Sequence, residues 1–215
     1  PVLVFPTAGG DAQEIERFLM IDALAPLIEA GRIKVYSCDS ISGRAMLVKE
    51  GDSAHLSWIL RQFVEFVGRE LVPAIRSDCR SDDIEMIVAG SSIGAFNALS
   101  IMCRYPDVFR AAVCMSGTYR LERFLGGPGN DHFTWASPMH FLPTLGDEHL
   151  ERLRTRFAVI ASGEGPNEDI GESWHAAHEL GKMGVPNRVD SWGPRAHDWP
   201  LWRDMLPTYL NELVD

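Results

Sequence analysis

The chain has 215 residues, of which 46% are hydrophobic, so it can bury one sizeable core, and we predict a single domain over residues 1–215. A formal net charge of -10 argues against nucleic acid or an anionic membrane as a partner, because both require clustered Lys and Arg side chains. Apolar runs are all too short to cross a bilayer, so no membrane span is expected.

Short runs rich in Val and Ile alternate along the chain with longer stretches of helical period. This alternation is typical of a mostly parallel sheet with helices on both faces. We predict strands at residues 2–5, 33–38, 84–89, 111–116, 157–162 and 187–191. We predict helices at residues 13–29, 55–75, 93–104, 148–155, 171–183 and 200–213.

Residues 117–145 depart from the alternation, since Gly, Pro and aromatic residues follow one another there without a period. We predict an irregular, lid-like excursion at one edge of the sheet, because long loops in compact domains are often functional. A purely structural loop is the alternative. Within this segment Phe133 and Trp135, with Met139 and Phe141, are candidates for an apolar substrate pocket, although such residues equally often pack inside a loop.

The motif Gly90-Ser91-Ser92-Ile93-Gly94 separates a predicted buried strand from a predicted helix. A tight turn of this kind, called a nucleophile elbow, exposes a reactive serine and needs the flanking glycines to avoid clashes. Ser92 is therefore the candidate nucleophile, and the Ile93 N–H at the helix start is a candidate oxyanion donor. The alternative is that Ser91 and Ser92 only cap the helix.

A serine nucleophile needs a histidine base and an acid that orients the histidine. His197 follows the last predicted strand, in "DSWGPRAHDWPLW", which is where this arrangement places the base. The preceding loop, "FAVIASGEGPNEDIGES", offers four carboxylates. The residue pattern alone leaves all four open as the acid: Glu164, Glu168, Asp169 and Glu172.

The loop after the first strand, "FPTAGGDAQ", puts small residues where a backbone must approach a substrate. We predict that Ala8 or Gly9 supplies a second oxyanion N–H. Phosphate binding is the weaker alternative for this glycine pair, because neither GxGxxG nor GK[ST] is present. The order of His175, His178 and Glu179 in "HAAHE" does not match the zinc helix motifs, so no metal or cofactor is expected.

The four cysteines show no CxxC spacing, and three lie in or beside apolar stretches where buried free thiols are common. This pattern favours a reducing compartment, and we expect a cytoplasmic protein. A homodimer is a candidate assembly, because paired surface helices are frequent dimer contacts.

With these residues in hand, the chain resembles the putative esterase family of the α/β-hydrolase superfamily, which includes esterase D-like and antigen 85-like proteins. Four segments carry the resemblance: "PVLVFPTAGGD", "IVAGSSIGAFNAL", "YPDVFRAAVCMSGTYRLERFL" and "VDSWGPRAHDWPLWRDMLP". The resemblance covers nearly the whole chain. It implies a three-layer α/β-hydrolase sandwich with Ser92 as nucleophile and His197 as base.

The resemblance also implies which residue orients the histidine, and the chain departs from the family pattern at two points. Related acid loops carry a glutamate after Gly-x-Gly-Pro-x, which matches Glu168 here, with Asp169 and Glu164 as alternatives. Family members usually have one or two antiparallel strands before the run that matches Pro1–Pro6, so we expect a truncated or processed form. Thr7-Ala8 replaces the first-loop histidine of many hydrolases, so backbone N–H groups alone are expected to donate hydrogen bonds to the oxyanion.

These residues together predict a carboxylic ester hydrolase that forms an acyl-enzyme on Ser92 and acts on a small-molecule ester. One alternative is an acyltransferase with the same machinery, in which an alcohol replaces water. The other is a non-catalytic α/β-hydrolase-fold protein that serves binding.

Overall fold

Six strands form one sheet in the computed structural model, which describes residues 1–214. The spatial order is β2-β1-β3-β4-β5-β6, and every neighbouring pair is parallel. The prediction of a mostly parallel sheet is therefore confirmed. The strands are β1 (Val2–Phe5), β2 (Val35–Ser37), β3 (Met86–Ser91), β4 (Phe109–Met115), β5 (Phe157–Ser162) and β6 (Asn187–Ser191).

Helices connect the strands, and within residues 1–214 they comprise twelve α-helices, one π-helix (Val67–Leu71) and one 3₁₀ turn (Leu142–Thr144). The first six α-helices are α1 (Glu14–Arg17), α2 (Met20–Glu29), α3 (Ile41–Val48), α4 (Ser53–Phe66), α5 (Val72–Cys79) and α6 (Ile93–Arg104). The other six are α7 (Glu122–Leu125), α8 (Asp131–Ala136), α9 (Pro138–Phe141), α10 (Asp147–Leu153), α11 (Ile170–Lys182) and α12 (Trp199–Leu213).

The helix predicted at residues 55–75 is longer in the structure, because α4, the π-helix and α5 follow one another without a break. Asp52 caps its start by accepting a hydrogen bond from the His55 N–H (2.9 Å). The helix predicted at residues 13–29 instead divides in two, since Leu19 has a left-handed backbone (φ 60°) between α1 and α2.

Residues 117–145 are less irregular than predicted, since α7, α8, α9 and the 3₁₀ turn occupy much of the segment. Each of these helices has only three to six residues, so none is long enough to show an amphipathic period in the sequence. Asn130 caps α8, which packs against α4. Helix α3 is a second helix missed by sequence analysis, and Ser40 caps it.

The sheet buries an apolar layer on each face. Alternate residues of β1 face different layers. Leu3 and Phe5 belong to the layer with α4 and α6, while Val2 and Val4 belong to the layer with α2 and α12. Three of the four free cysteines are buried, as their apolar neighbours predict. In the part of the chain that the structure describes, every helix is too short or too polar for a membrane span.

The topology fixes where a site can form. The chain runs from β1 outward to β2, and then returns to place β3 on the other side of β1. In open parallel sheets, ligands bind beyond the carboxyl ends of the strands at such a reversal. The loop after β1 and the turn after β3 therefore meet at the expected position.

Candidate active site

Ser92 occupies the turn between β3 and α6 in a backbone conformation that side chains rarely adopt (φ 59°, ψ -121°). Hydrogen bonds hold it there: its N–H donates to the Met115 carbonyl (2.9 Å), and its carbonyl accepts from the Ala95 N–H (3.1 Å). Its side chain makes no capping hydrogen bond to α6, so Ser92 does not act as a conventional helix cap. A strained, half-exposed serine held in this way is a common feature of functional sites.

The two glycines around Ser92 are required by close backbone contacts. A Cβ atom on Gly90 would lie 2.3 Å from the carbonyl oxygen of Gly94, and one on Gly94 would lie 2.8 Å from the carbonyl oxygens of Phe5 and Pro6. Neither backbone can move without disturbing the sheet. The glycine pattern in the sequence therefore reflects the tight passage from strand to helix.

His197 and Glu168 contact each other through their side chains. The Nδ1 atom of His197 lies 3.4 Å from Oε2 of Glu168, whose side chain is only 1% exposed. The His197 N–H donates to the Pro166 carbonyl (3.0 Å), which joins the loop after β6 to the loop after β5. The imidazole also meets the Trp202 ring edge to face, with centroids 5.1 Å apart. The ring is thus held from two directions.

The Glu168 carboxylate accepts further hydrogen bonds from two hydroxyl groups. Ser116 donates to Oε1 (2.5 Å) and Ser162 to Oε2 (3.0 Å), while the Trp202 Nε1–H donates to the Ser116 hydroxyl (2.9 Å). Burial raises the pKa of Glu168, but the hydrogen bonds from His197 and Ser116 outweigh it, so the net pKa is lowered. The carboxylate is therefore ionised at neutral pH and ready to orient an imidazole.

The other three carboxylates of this region have different contacts. Glu164 is exposed and accepts a hydrogen bond from Ser191. Asp169 caps α11 through the Gly171 N–H (3.0 Å). The Glu172 carboxylate is buried and accepts hydrogen bonds from the Tyr119 and Arg120 N–H groups. Of the four, Glu168 is the one whose carboxylate contacts His197.

Glu172 joins α11 to the segment that follows β4, and we predict that Glu172→Gln lowers the free energy of unfolding by about 2 kcal/mol at neutral pH. Burial raises the pKa of Glu172, but the N–H donors of Tyr119 and Arg120 outweigh it and bring the pKa below 4.5. A lowered folded-state pKa means that the carboxylate stabilises the fold fully above pH 4.5 and that this contribution is lost as pH falls through the folded-state pKa.

Urea unfolding of wild type and Glu172→Gln at about pH 7 and about pH 3 tests this sign. The difference between the two proteins should shrink at the lower pH. Glu70→Gln, at an exposed position, is the control and should change little at either pH. A difference that stays constant between the two pH values would contradict the prediction.

Ser92 and His197 line one cavity of about 280 Å³, together with the loop after β1 and the start of α12. Ala8 and Gly9 belong to this cavity. Within residues 1–214, no carbonyl or side-chain oxygen accepts a hydrogen bond from the N–H groups of Ala8, Gly9 or Ile93. The three candidate oxyanion donors thus surround Ser92 with their hydrogen-bonding capacity unused.

Glu14 supports the loop after β1 and was missed by sequence analysis. Its buried carboxylate accepts hydrogen bonds from the Thr7 N–H (2.7 Å) and the Thr7 hydroxyl (2.6 Å). A Cβ atom on Gly10 would lie 2.4 Å from this carboxylate, so the loop wraps closely around it. Glu14 therefore holds Thr7 by hydrogen bonds and lies close to Gly10, the two residues that flank the Ala8-Gly9 segment.

The structure does not bring Phe133 and Trp135 to Ser92. Phe133 lies in the core against α4 and meets the His140 ring edge to face. Trp135 packs against the guanidinium groups of Arg61 and Arg104. The side chains that form a second, apolar cavity beside Ser92 come instead from α3 and from residues 118–124: Met46, Leu47, Thr118, Leu121 and Phe124.

Ser116 and Trp202 also escaped sequence analysis. Ser116 follows a buried strand at the same sheet edge as Ser92, so the strand-end rule contained a signal for it. Trp202 lies on α12, where an apolar residue is equally expected as core.

The possible metal ligands His175, His178 and Glu179 lie along α11. No group of three or more potential metal ligands occurs within residues 1–214.

Comparison with known proteins places these observations in a family. The chain matches the model of the family described as "Putative esterase" over residues 53–213. A search of curated protein sequences gives no match.

Solved structures of similar fold cover nearly all of the chain. A ferulic acid esterase superposes with a TM-score of 0.73 at 17% identity, covering 100% of this chain and 84% of its own. S-formylglutathione hydrolase from Staphylococcus aureus gives 0.68 at 15% identity, covering 100% and 80%. MPT51 from Mycobacterium tuberculosis gives 0.68 at 16% identity, covering 99% and 88%. These likenesses show the fold, and with the family match they establish that the chain belongs to the putative esterase family of α/β-hydrolases.

Proposed function

We propose that this protein is a serine hydrolase that cleaves a carboxylic ester through an acyl-enzyme on Ser92. One observation carries the proposal: Ser92, on a strained turn, shares a cavity with His197, whose Nδ1 atom contacts the buried carboxylate of Glu168. Membership of an esterase family supports the same reaction class.

In the first step, His197 removes the proton of the Ser92 hydroxyl, and the Ser92 oxygen forms a bond to the ester carbonyl carbon. The electron pair of the carbonyl moves onto its oxygen. The Ile93 N–H and the N–H of Ala8 or Gly9 donate hydrogen bonds to this oxyanion. The Glu168 carboxylate accepts a hydrogen bond from the Nδ1–H of His197, which leaves the other ring nitrogen unprotonated and able to take the serine proton.

When the tetrahedral intermediate collapses, the carbonyl re-forms and the bond to the leaving oxygen breaks. The imidazolium of His197 gives its proton to that oxygen, so the alcohol departs neutral. Water then attacks the acyl-enzyme while His197 takes one of its protons. The acid leaves and the proton returns to the Ser92 oxygen, so no cofactor is consumed.

Labelling with a fluorophosphonate tests the proposal, because such a reagent modifies serines that a base and an oxyanion site have activated. Intact mass should show one adduct, and peptide mapping should find it on Ser92. The neighbouring Ser91 is buried and supplies a matched control, since Ser91→Ala should be labelled like wild type. An unlabelled wild-type protein with a normal unfolding transition would contradict the proposal.

Glu14→Gln should lower kcat by about 10- to 100-fold with little change in KM, because the amide keeps one acceptor oxygen for the two Thr7 donors and the Ala8-Gly9 segment shifts. An oxyanion donor acts on the transition state, so its displacement appears in kcat. Glu16→Gln, two residues away and exposed, is the control and should retain wild-type kcat. A rise in KM at constant kcat would assign Glu14 to ground-state binding instead.

A further inference from the structure

Two cavities meet at Ser92. The first contains His197 and the aromatic rings of Trp199 and Trp202. The second, of about 180 Å³, is the apolar cavity formed between α3 and residues 118–124. Ala8 and Ser92 line both, so the nucleophile and a candidate oxyanion donor stand at the boundary between them.

Resting on the proposed function, the stereochemistry of the reaction assigns one half of the ester to each cavity. The tetrahedral carbon carries the Ser92 oxygen, the oxyanion, the leaving oxygen and the acyl chain. His197 must protonate the leaving oxygen, so the alcohol part lies in the cavity that contains His197. The oxyanion points toward the N–H donors at the boundary. The acyl chain is then directed into the apolar cavity.

We propose that the apolar cavity binds the acyl group and that the substrate is an ester of an uncharged, apolar carboxylic acid. Among residues 1–214, Ser92 and Thr118 are the only residues lining this cavity that carry a side-chain hydroxyl. The remaining lining side chains are aliphatic, aromatic or, at Met46, a thioether, and none of the described Asp, Glu, Lys or Arg residues lines it. A charged acyl group would lose its hydration there without gaining an ionic partner from the lining, since the nearby Arg123, which packs on Phe124, pairs with Glu172.

The mouth of the cavity carries a second sign of an apolar ligand. Leu47 on α3 is 63% exposed, and Phe124 on α7 is 45% exposed, although both are large hydrophobic residues. They come from separate helices and line the same cavity. Leu47 also lies beside the loop after β1, since a Cβ atom added to Gly9 would come within 3.6 Å of the Leu47 Cδ2 atom. An acyl chain that extends from Ser92 into this cavity would cover apolar surface that otherwise faces water.

A p-nitrophenyl ester series from acetate through butanoate to hexanoate tests the assignment, because the leaving group is constant. Each methylene that enters the cavity should raise kcat/KM by about fourfold until the cavity is full. A glutarate ester, similar in length to hexanoate but ending in a carboxylate, should react about 100-fold more slowly than hexanoate. An equal rate for acetate and hexanoate would overturn the proposal.

Variants at the mouth separate binding from general damage to the fold. Leu47→Gln and Phe124→Gln replace exposed side chains, and each should lower the hexanoate-to-acetate ratio of kcat/KM by about fivefold or more. Val48→Gln is the matched control, since Val48 is 69% exposed on the same helix and does not line the cavity. Its ratio should equal that of wild type. Unchanged ratios in both mouth variants would overturn the proposal.

A second series, of alkyl acetates with increasing alcohol length, tests the opposite orientation. If the mouth variants reduce the preference for long alcohols rather than long acids, the apolar cavity binds the alcohol and the assignment is reversed. Fluorophosphonate labelling of Ser92 reports on the proposed function separately. If Ser92 is labelled and acetate is hydrolysed without a preference for long acyl chains, only the acyl assignment is contradicted. If there is neither labelling nor hydrolysis, the acyl assignment and the proposed function are both contradicted.

Discussion

Ser92→Ala is expected to lower kcat for a good ester substrate by about a million-fold, the scale on which removal of a triad serine acts. Without the hydroxyl no acyl-enzyme forms, and His197 has no serine proton to take. The oxyanion donors are untouched, so substrate binding should persist and KM should change little. A stopped assay with purified protein measures the loss.

The elbow provides its own control for folding. Alanine and serine share the strain of the left-handed backbone at position 92 (φ 59°), so Ser92→Ala should unfold at nearly the wild-type temperature. Ser92→Gly relieves that strain and should raise the free energy of unfolding by about 1 kcal/mol while remaining inactive. Turnover by either variant at the wild-type rate would eliminate Ser92 as the nucleophile.

The sequence predicted the strands well because each buried parallel strand is a short apolar run bounded by polar or turn residues. The bounds of β1, β5 and β6 agree with the prediction residue for residue. The elbow was predictable for a related reason, since its glycines are dictated by local backbone contacts. Local physics of this kind leaves a local pattern in the sequence.

Other parts of the site depend on contacts between distant segments and left no such pattern. Ser116 and Trp202 are 86 residues apart, yet their hydrogen bond supports the Glu168 carboxylate. Glu14 looks like an ordinary helix-start glutamate until the loop after β1 is seen to wrap around it. Met46 and Leu47 lie on α3, which contains Gly43. The mixed composition of this helix gave no clear helical pattern in the sequence. Tertiary contacts, rather than propensity, define these positions.

The residue pattern alone leaves four carboxylates open as the acid, and the choice among them leads to the second large expected effect. Glu168→Gln should lower kcat by about 10⁴-fold. The amide of glutamine can donate to His197 Nδ1, which favours the tautomer with its proton on the nitrogen that must accept from Ser92. The shape of the residue is preserved, so the loss should appear in kcat with little change in the unfolding temperature.

Asp169→Asn is the matched control, because it changes the neighbouring acid by the same chemistry. Asp169 caps α11, and asparagine caps helices about as well, so activity should stay within about twofold of wild type. The opposite pattern, with Asp169→Asn inactive and Glu168→Gln active, would assign the role of the acid to Asp169.

The pH dependence of wild-type activity provides a further test of Glu168. Hydrogen bonds from His197 and Ser116 outweigh burial and lower the pKa of Glu168, so a loss of activity near neutral pH should not come from protonation of Glu168.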